Sequence, residues 1–199
     1  MAVVTELATL ESLYGETNPK SLLKVSPTLT PCYRAWIAAS RFAVLSTIGP
    51  EGTDGSPRGD DGPVVQMVDG QTLLLPDWKG NNRLDSLRNI VADGRVSLMF
   101  MIHGSVNVVR VNGHAVLKTD PDLLALFDKA GKRPATVTEI TVGEVYYQCA
   151  KALMRSKLWT TQEPVKVPTA GDFNKEADPS FDSAAYDAGY AEYAKPLLW

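Results

Sequence analysis

Thr72-Leu73-Leu74-Leu75-Pro76-Asp77-Trp78-Lys79-Gly80-Asn81-Asn82-Arg83 is the stretch on which the reading of this chain turns. Its first four residues form an apolar run that reads as a strand. Leu84-Asp85-Ser86-Leu87-Arg88-Asn89-Ile90-Val91, just beyond, has the periodicity of a helix. Between them lies a glycine-containing turn with two cations, Lys79 and Arg83. Such a strand, turn and helix start make an anion site. The N–H groups at a helix N-terminus lack intrahelical partners, the helix dipole favours negative charge there, and cations close around it. A local reading competes. Asn82 is placed to cap the helix, with Asp85 three residues on where a capping-box acid sits, and cations decorate many surface turns. That logic accounts for Asn82 and Asp85 but not for Lys79, Arg83 or the spare amide of Asn81.

Immediately upstream, Val64–Val68 and Gln71–Leu75 flank Asp69-Gly70, the strongest hairpin signal in the chain. Phe42–Thr47 is strand-like, whereas Gly49–Gly62 holds five glycines and two prolines without hydrophobic periodicity. It reads as a loop, or as a hairpin tip with an irregular return. A helix is expected from Thr30 to about Ser40, with Pro31 in its first turn. The first fifteen residues read as an amphipathic helix carrying Val4, Leu7, Leu10 and Leu13. Downstream, Arg95–Ile102 reads as a strand, and an alternating segment runs from Val106 to Leu117 with a turn or bulge at Asn112-Gly113. Thr119-Asp120-Pro121 caps a short helix, Thr136–Tyr147 forms the last strand, and Cys149–Trp159 reads as a helix. From Thr160 the chain changes character: Pro164, Pro168 and Gly171 suggest a linker, and Asp178-Pro179 starts a small helix bearing Phe181, Tyr186, Tyr190 and Tyr193. Consecutive antiparallel strands with short helices inserted favour a small closed barrel with flanking helices over a doubly wound sheet. The expected organisation is one domain over 1–199, with N-terminal helices over 1–41, the barrel over 42–159 and an extension over 160–199.

With 199 residues and 44% hydrophobic content the chain can bury a core. A net charge of −3 argues against a nucleic-acid binder. No run of 18 apolar residues suggests a membrane span, and Glu6 and Glu11, without an early Lys or Arg, argue against a signal peptide. Two cysteines, Cys32 and Cys149, lack CxxC spacing, which reads as two reduced thiols in a cytoplasmic protein and no metal site. His103 and His114 belong to no HxxxH, HExxH or GxSxG arrangement. No side chain stands out as an acid or base, so no catalytic residue is assigned. Any chemistry would come from a bound cofactor.

Three further constellations matter. Gly55-Ser56-Pro57-Arg58-Gly59-Asp60 is a turn by composition, and Arg58 at the mouth of a barrel would reach a phosphate or a ring carbonyl. Arg110 lies in the valine-rich segment Val106–Val111 on the face of Val106 and Val108, where a charge is costly unless paired. A bulge or an exposed face competes with a ligand contact there. Lys151, Arg155 and Trp159 lie at spacing four on one predicted helix face, with Ser156 beside them. A solvated cationic face with a packed indole is the competing explanation.

Taken in order, Ser56-Pro57-Arg58-Gly59-Asp60, Gly80-Asn81-Asn82-Arg83 and Arg155-Ser156-Lys157-Leu158-Trp159 resemble the FMN-binding split-barrel flavoproteins of the pyridoxamine 5′-phosphate oxidase-like superfamily. Within it they are most similar to the FMN-dependent group with SPRGD, GNNR and RSxLW segments. The resemblance covers roughly 42–159. It implies a six-stranded antiparallel split β-barrel that forms a homodimer, with FMN in clefts between subunits and a small organic substrate. By motif match Asn82 and Arg83 grip the FMN phosphate, with Lys79 and Asn81 beside them. Arg58, Gly59 and Asp60 lie on or beside the strand that contacts the flavin in the family, and Pro76 and Asp77 correspond to the end of the next strand, beside the ribityl chain. Arg110 matches a position on the strand that reaches the cofactor. Arg155, Ser156 and Trp159 would come from the other subunit or line the substrate side. The vitamin B6 oxidase itself is matched only in part. Its Arg-Lys pair at the phosphate turn appears here as Asn82-Arg83, and its arginine-rich ending has no counterpart in 191–199. Flavin binding carries over better than substrate. A non-catalytic flavin-binding module, a deazaflavin reductase and a general binder of phosphate ligands are the alternatives. The extension, with its tyrosines and Leu197, Leu198 and Trp199, docks on the barrel, covers the cleft or reaches a partner subunit.

Overall fold

The computed structural model describes residues 3–160 and 165–199. Its helices are α1 (Leu7–Tyr14), α2 (Pro19–Leu22), α3 (Pro31–Ala39), α4 (Asp85–Ala92), α5 (Pro121–Ala125), α6 (Lys151–Ser156), α7 (Ala170–Ala177) and α8 (Ser183–Ala194), followed by a 3-10 turn at Lys195–Leu197. The strands are β1 (Phe42–Gly49), β2 (Gly52–Gly59), β3 (Gln66–Met67), β4 (Thr72–Asp77), β5 (Arg95–Met101), β6 (Val108–Lys118) and β7 (Thr136–Gln148). They form one antiparallel sheet in the order β2-β1-β5-β6-β7-β4-β3. This is the expected mainly β fold with flanking helices. The expected six strands become seven because the outer half of the Asp69-Gly70 hairpin keeps two paired residues, Gln66 and Met67. Asp69 fixes that hairpin by accepting hydrogen bonds from the N–H groups of Gln71 and Thr72 at 2.7 and 2.8 Å.

The ladder is not a closed ring. β2 and β3 are its edges, so the barrel remains split, and side chains rather than backbone hydrogen bonds join β2 to β4 across the gap. The glycine-rich 49–62 stretch, expected as a loop, is largely a strand: β2 pairs with β1 in unbroken register from Gly49↔Gly52 to Phe42↔Gly59. An edge strand needs only one hydrogen-bonded neighbour, so Pro57 and small residues are tolerated there, and no apolar alternation marked it.

The core is built by period-two alternation. Ala43 and Leu45 of β1, Val96, Leu98 and Phe100 of β5, and Val109 and Val111 of β6 all point inward. On β7 the inward parity changes: Ile140 and Val142 are buried, then Val145. The cause is a bulge at Gly143. Asn112 pairs with Glu144 and Gly113 with Val142, so one extra residue sits on β7. Gly113 is required opposite it, since a Cβ there would lie 2.1 Å from the Thr141 carbonyl oxygen. The Asn112-Gly113 signal thus marks a bulge rather than a turn. Leu73, Leu74, Leu75 and Pro76 are all buried, as a run of strand residues covered on both faces should be.

α4 crosses β1, β2 and β6, buries Ser86 and Ile90, and donates from the Asn89 amide to Thr47 Oγ1 at 3.1 Å. The N-terminal helix begins at Leu7, so Val4 precedes it, and Leu7, Leu10 and Leu13 are exposed. The predicted Cys149–Trp159 helix ends at Ser156, where Lys157 turns left-handed. Lys151, Arg155 and Trp159 therefore do not share one helix face. In the extension, α7 occupies part of the expected linker, whose Pro164 lies outside the described residues, and the aromatic helix starts at Ser183 with Asp182 as its cap. Among the described residues no helix is long and apolar enough to cross a membrane.

Candidate functional site

A cleft of about 1410 Å³ opens between β2, the end of β4, the 78–84 turn and the start of α4. Arg58, Gly59, Asp60, Pro76, Asp77, Lys79, Asn81, Asn82 and Arg83 all line it. These residues come from two ends of the sheet and one turn, so the sequence motifs meet in space although the ladder does not join them.

At its wall, Arg58 Nη1 donates to Asp77 Oδ1 at 2.5 Å, and each side chain is 18% exposed. Asp60 accepts from Trp78 Nε1 at 3.1 Å and from the Lys129 ammonium. These contacts close the split in the barrel, which is a structural duty for all of them. The duty is incomplete for Arg58: its Nε is buried and has no hydrogen-bond partner, and neither has Thr136 Oγ1, also in the cleft wall. Burying a polar atom without a partner is costly, so two residues of one cleft wall that each carry such an atom favour a polar ligand there.

The turn is the second feature. Asn82 and Leu84 both lie in the left-handed region, at φ 58° and 63°. Asparagine tolerates that conformation; leucine does so only under constraint. Asn82 does not cap α4. Leu84 occupies the N-cap position and supplies no side-chain hydrogen bond. The expected Asn82–Asp85 capping box is absent because Asn81 instead turns the backbone, its Oδ1 accepting from the Arg83 N–H at 3.1 Å. That Asx turn holds Arg83 over the helix start. The result is a helix N-terminus without a side-chain cap, opening on the cleft beside Lys79, Arg83 and Arg88. Arg83 Nε pairs with Asp85 at 2.9 Å, but the arginine side chain is 76% exposed, so the pair is weak and easily exchanged for an anion. Among the described residues neither Lys79 nor Arg88 forms an ion pair.

The remaining candidates lie elsewhere in the chain. Arg110 sits on β6 between Met99 and Tyr146, with its guanidinium 5.3 Å from the Tyr146 ring centroid and its buried Nε without a partner. Arg155 and Ser156 are exposed on α6. Trp159 lies past that helix, donates to the Ser105 carbonyl at 2.6 Å and stands edge-on to His103. None of these four lines the cleft of this chain.

Several cleft residues escaped the sequence reading. Asp54 accepts from Ser86 Oγ and so ties β2 to α4. Ser86 and Arg88 lie on the first turn of the helix that follows the cation-bearing turn, and that adjacency was a usable signal for them. Arg133 had none, being distant in sequence, whereas Tyr190 and Leu198 belong to the extension, for which covering the cleft was one of three expected placements. Arg133 Nε donates to Asp128 at 3.0 Å, and the Gly131 N–H followed by Arg133 holds that carboxyl below its ordinary range. Among the described residues no group of three His, Cys, Asp or Glu side chains is placed to hold a metal ion.

Residues 29–149 match the family described as pyridoxamine 5′-phosphate oxidase. No curated protein matches the chain. Among solved structures, HupZ of Group A Streptococcus is similar with 16% identity and a TM-score of 0.48 over 58% of this chain and 90% of its own. An FMN-binding protein from Syntrophomonas wolfei shares 14% identity at a TM-score of 0.45, covering 70% of this chain and 96% of its own. A FAD-binding protein from Mesorhizobium loti shares 17% identity at 0.42, covering 62% and 96%.

Proposed function

The chain belongs to the pyridoxamine 5′-phosphate oxidase family, and on that premise we propose that it is an FMN-binding oxidoreductase acting on a small organic substrate. The observation that carries the flavin reading is the uncapped start of α4, held open by left-handed backbone at Asn82 and Leu84 and ringed by Lys79, Arg83 and Arg88. A phosphate monoester suits that place: N–H dipoles, free cations and an exchangeable arginine meet there. Arg58 Nε and Thr136 Oγ1, both without partners, would satisfy polar atoms of the ribityl chain or ring. Bound FMN would supply two-electron redox chemistry.

The protein's own side chains are arranged to hold rather than to react. The cleft carboxylates Asp54, Asp60, Asp77 and Asp85 are each bonded to a partner. This supports assigning binding and orientation to the chain, and it also favours a second reading, a flavin-holding module without turnover. Bound flavin reduced by a nicotinamide donor and reoxidised by an added acceptor would support the enzyme; flavin that is held without cycling would support the module. The same cleft is also open to a deazaflavin, which carries a phosphate as well, so competition between the two cofactors belongs in the same assay.

The reading extends to a homodimer of single-domain subunits. Arg110, Arg155, Ser156 and Trp159, remote from the cleft of their own chain, would then reach the cofactor bound by a second copy. The direct test is the mass and absorbance spectrum of whatever co-purifies with the chain. FMN with a bleachable spectrum is expected; a colourless protein that takes up none on titration would sink the reading.

A further inference from the structure

The cleft has a wall that none of the three motifs supplies. Tyr190 of α8 and Leu198 after the 3-10 turn both line it, although they lie over a hundred residues beyond the turn that holds the cations. Both are large and largely exposed, at 49% and 56%. Apolar side chains facing an open cleft gain when a ligand covers them.

That wall is fastened. Lys132 Nζ donates to the Pro196 carbonyl at 2.8 Å. Trp199 stands edge-on to Trp78, with centroids 5.6 Å apart and planes at 74°. The Lys129 ammonium sits 3.6 Å from the Trp199 centroid and 5.2 Å from that of Trp78, and it donates to Asp60. A lysine between two indoles and a carboxylate is a cation–π clamp, and its carboxylate belongs to the SPRGD segment, which lines the same cleft. Behind Tyr190 the rings of Tyr186 and Tyr193 follow at 5.4 and 6.5 Å, backing it from both sides. Lys79, Arg83 and Arg88 line the cleft around the helix start, and the extension adds an aromatic and an aliphatic side chain to the same cleft.

We propose that the extension is part of the ligand site: Tyr190 and Leu198 pack on the ring half of the bound molecule, and Trp199, clamped through Lys129 to Asp60, anchors them. This rests on the flavin reading and deepens it, since it assigns the phosphate to the turn and the ring to the extension.

Riboflavin, which has the ring and lacks the phosphate, separates the two ends. Titrating FMN and riboflavin by fluorescence quenching, Tyr190→Ala and Trp199→Ala should each weaken both ligands by the same factor, about tenfold for loss of an aromatic contact. Arg83→Ala should weaken FMN alone. Lys129→Met keeps the apolar stem, removes the cation and should reproduce Trp199→Ala. Tyr190 is exposed, so its variant serves even if a clamp variant folds poorly, which thermal unfolding would reveal. If Tyr190→Ala and Trp199→Ala leave both affinities unchanged, or weaken FMN alone, the proposal is overturned while the flavin reading stands. A wild-type chain that binds neither ligand overturns both, before any variant is made.

Discussion

Replacing Arg58 by methionine tests how the split in this barrel is held. Arg58 Nη1 lies 2.5 Å from Asp77 Oδ1, and each side chain keeps 18% of its exposure. A fully exposed pair contributes about 0–1 kcal/mol, whereas removing one member of a buried pair costs about 3–5 kcal/mol because the other charge is left stranded. At this intermediate burial, Arg58→Met should destabilise the chain by about 2–3 kcal/mol. For a domain of this size each kcal/mol moves the midpoint by roughly 2–4 °C, so Tm should fall by roughly 5–10 °C. Adding Asp77→Leu removes the stranded carboxylate and leaves an apolar pair of similar volume, so most of the loss should be recovered. Flavin binding should not be recovered, because the arginine that lines the cleft is still missing. Thermal and urea unfolding followed by circular dichroism, with an FMN titration of each variant, measures both outcomes. A single variant within about 0.5 kcal/mol of wild type, the range of an ordinary surface change, would refute the idea that this pair holds β2 to β4. A double variant no more stable than the single one would refute the stranded-charge argument.

Arg83→Ala should raise the Kd for FMN by one to two orders of magnitude, from the loss of charge-assisted hydrogen bonds of about 1.5–3 kcal/mol; titration across ionic strengths should show a shallower salt dependence than wild type. Arg155→Ala should weaken FMN binding although Arg155 does not line the cleft of its own chain; unchanged affinity together with a monomer on light scattering would contradict the shared site. Asp93 answers a question of pH. Its carboxyl is held down from 3.8 to about 2, first by the Arg95 side chain and then by the Arg95 N–H. A depressed carboxylate stabilises the fold above its unfolded value, and that contribution is lost as pH falls through the folded one. Asp93→Asn should therefore flatten the fall of stability between about pH 4 and 2, read by urea unfolding at stepped pH, and leave the slope above pH 5 unchanged.

Much of the barrel was legible because its strands carry their own pattern. Phe42–Thr47, Arg95–Ile102 and Thr136–Tyr147 alternate or cluster β-branched residues, and each is a strand. β2 was not legible, since an edge strand facing a cleft buries no apolar alternate and shows only glycine, proline and polar residues. The anion turn is visible as a composition of cations and glycine, but its backbone geometry is not. Asn82 has the right chemistry for an N-cap, yet the Asx turn at Asn81 displaces the helix start to Leu84, a choice between two neighbouring asparagines that periodicity does not make. Lys129 and Trp199 meet Asp60 and Trp78 of the cleft wall through contacts that only the fold creates, and no spacing rule links them to Asp60.

The central claim is that the uncapped helix start between Asn82 and Asp85 is a phosphate clamp for a flavin. Its most direct measurement is a stoichiometric titration of the apo-chain with FMN, followed by flavin fluorescence and repeated with riboflavin. The account predicts saturation at one FMN per chain and markedly weaker binding of riboflavin, with the difference abolished by Arg83→Ala. Equal affinity for the two in the wild-type chain, or no quenching by FMN at all, would contradict it.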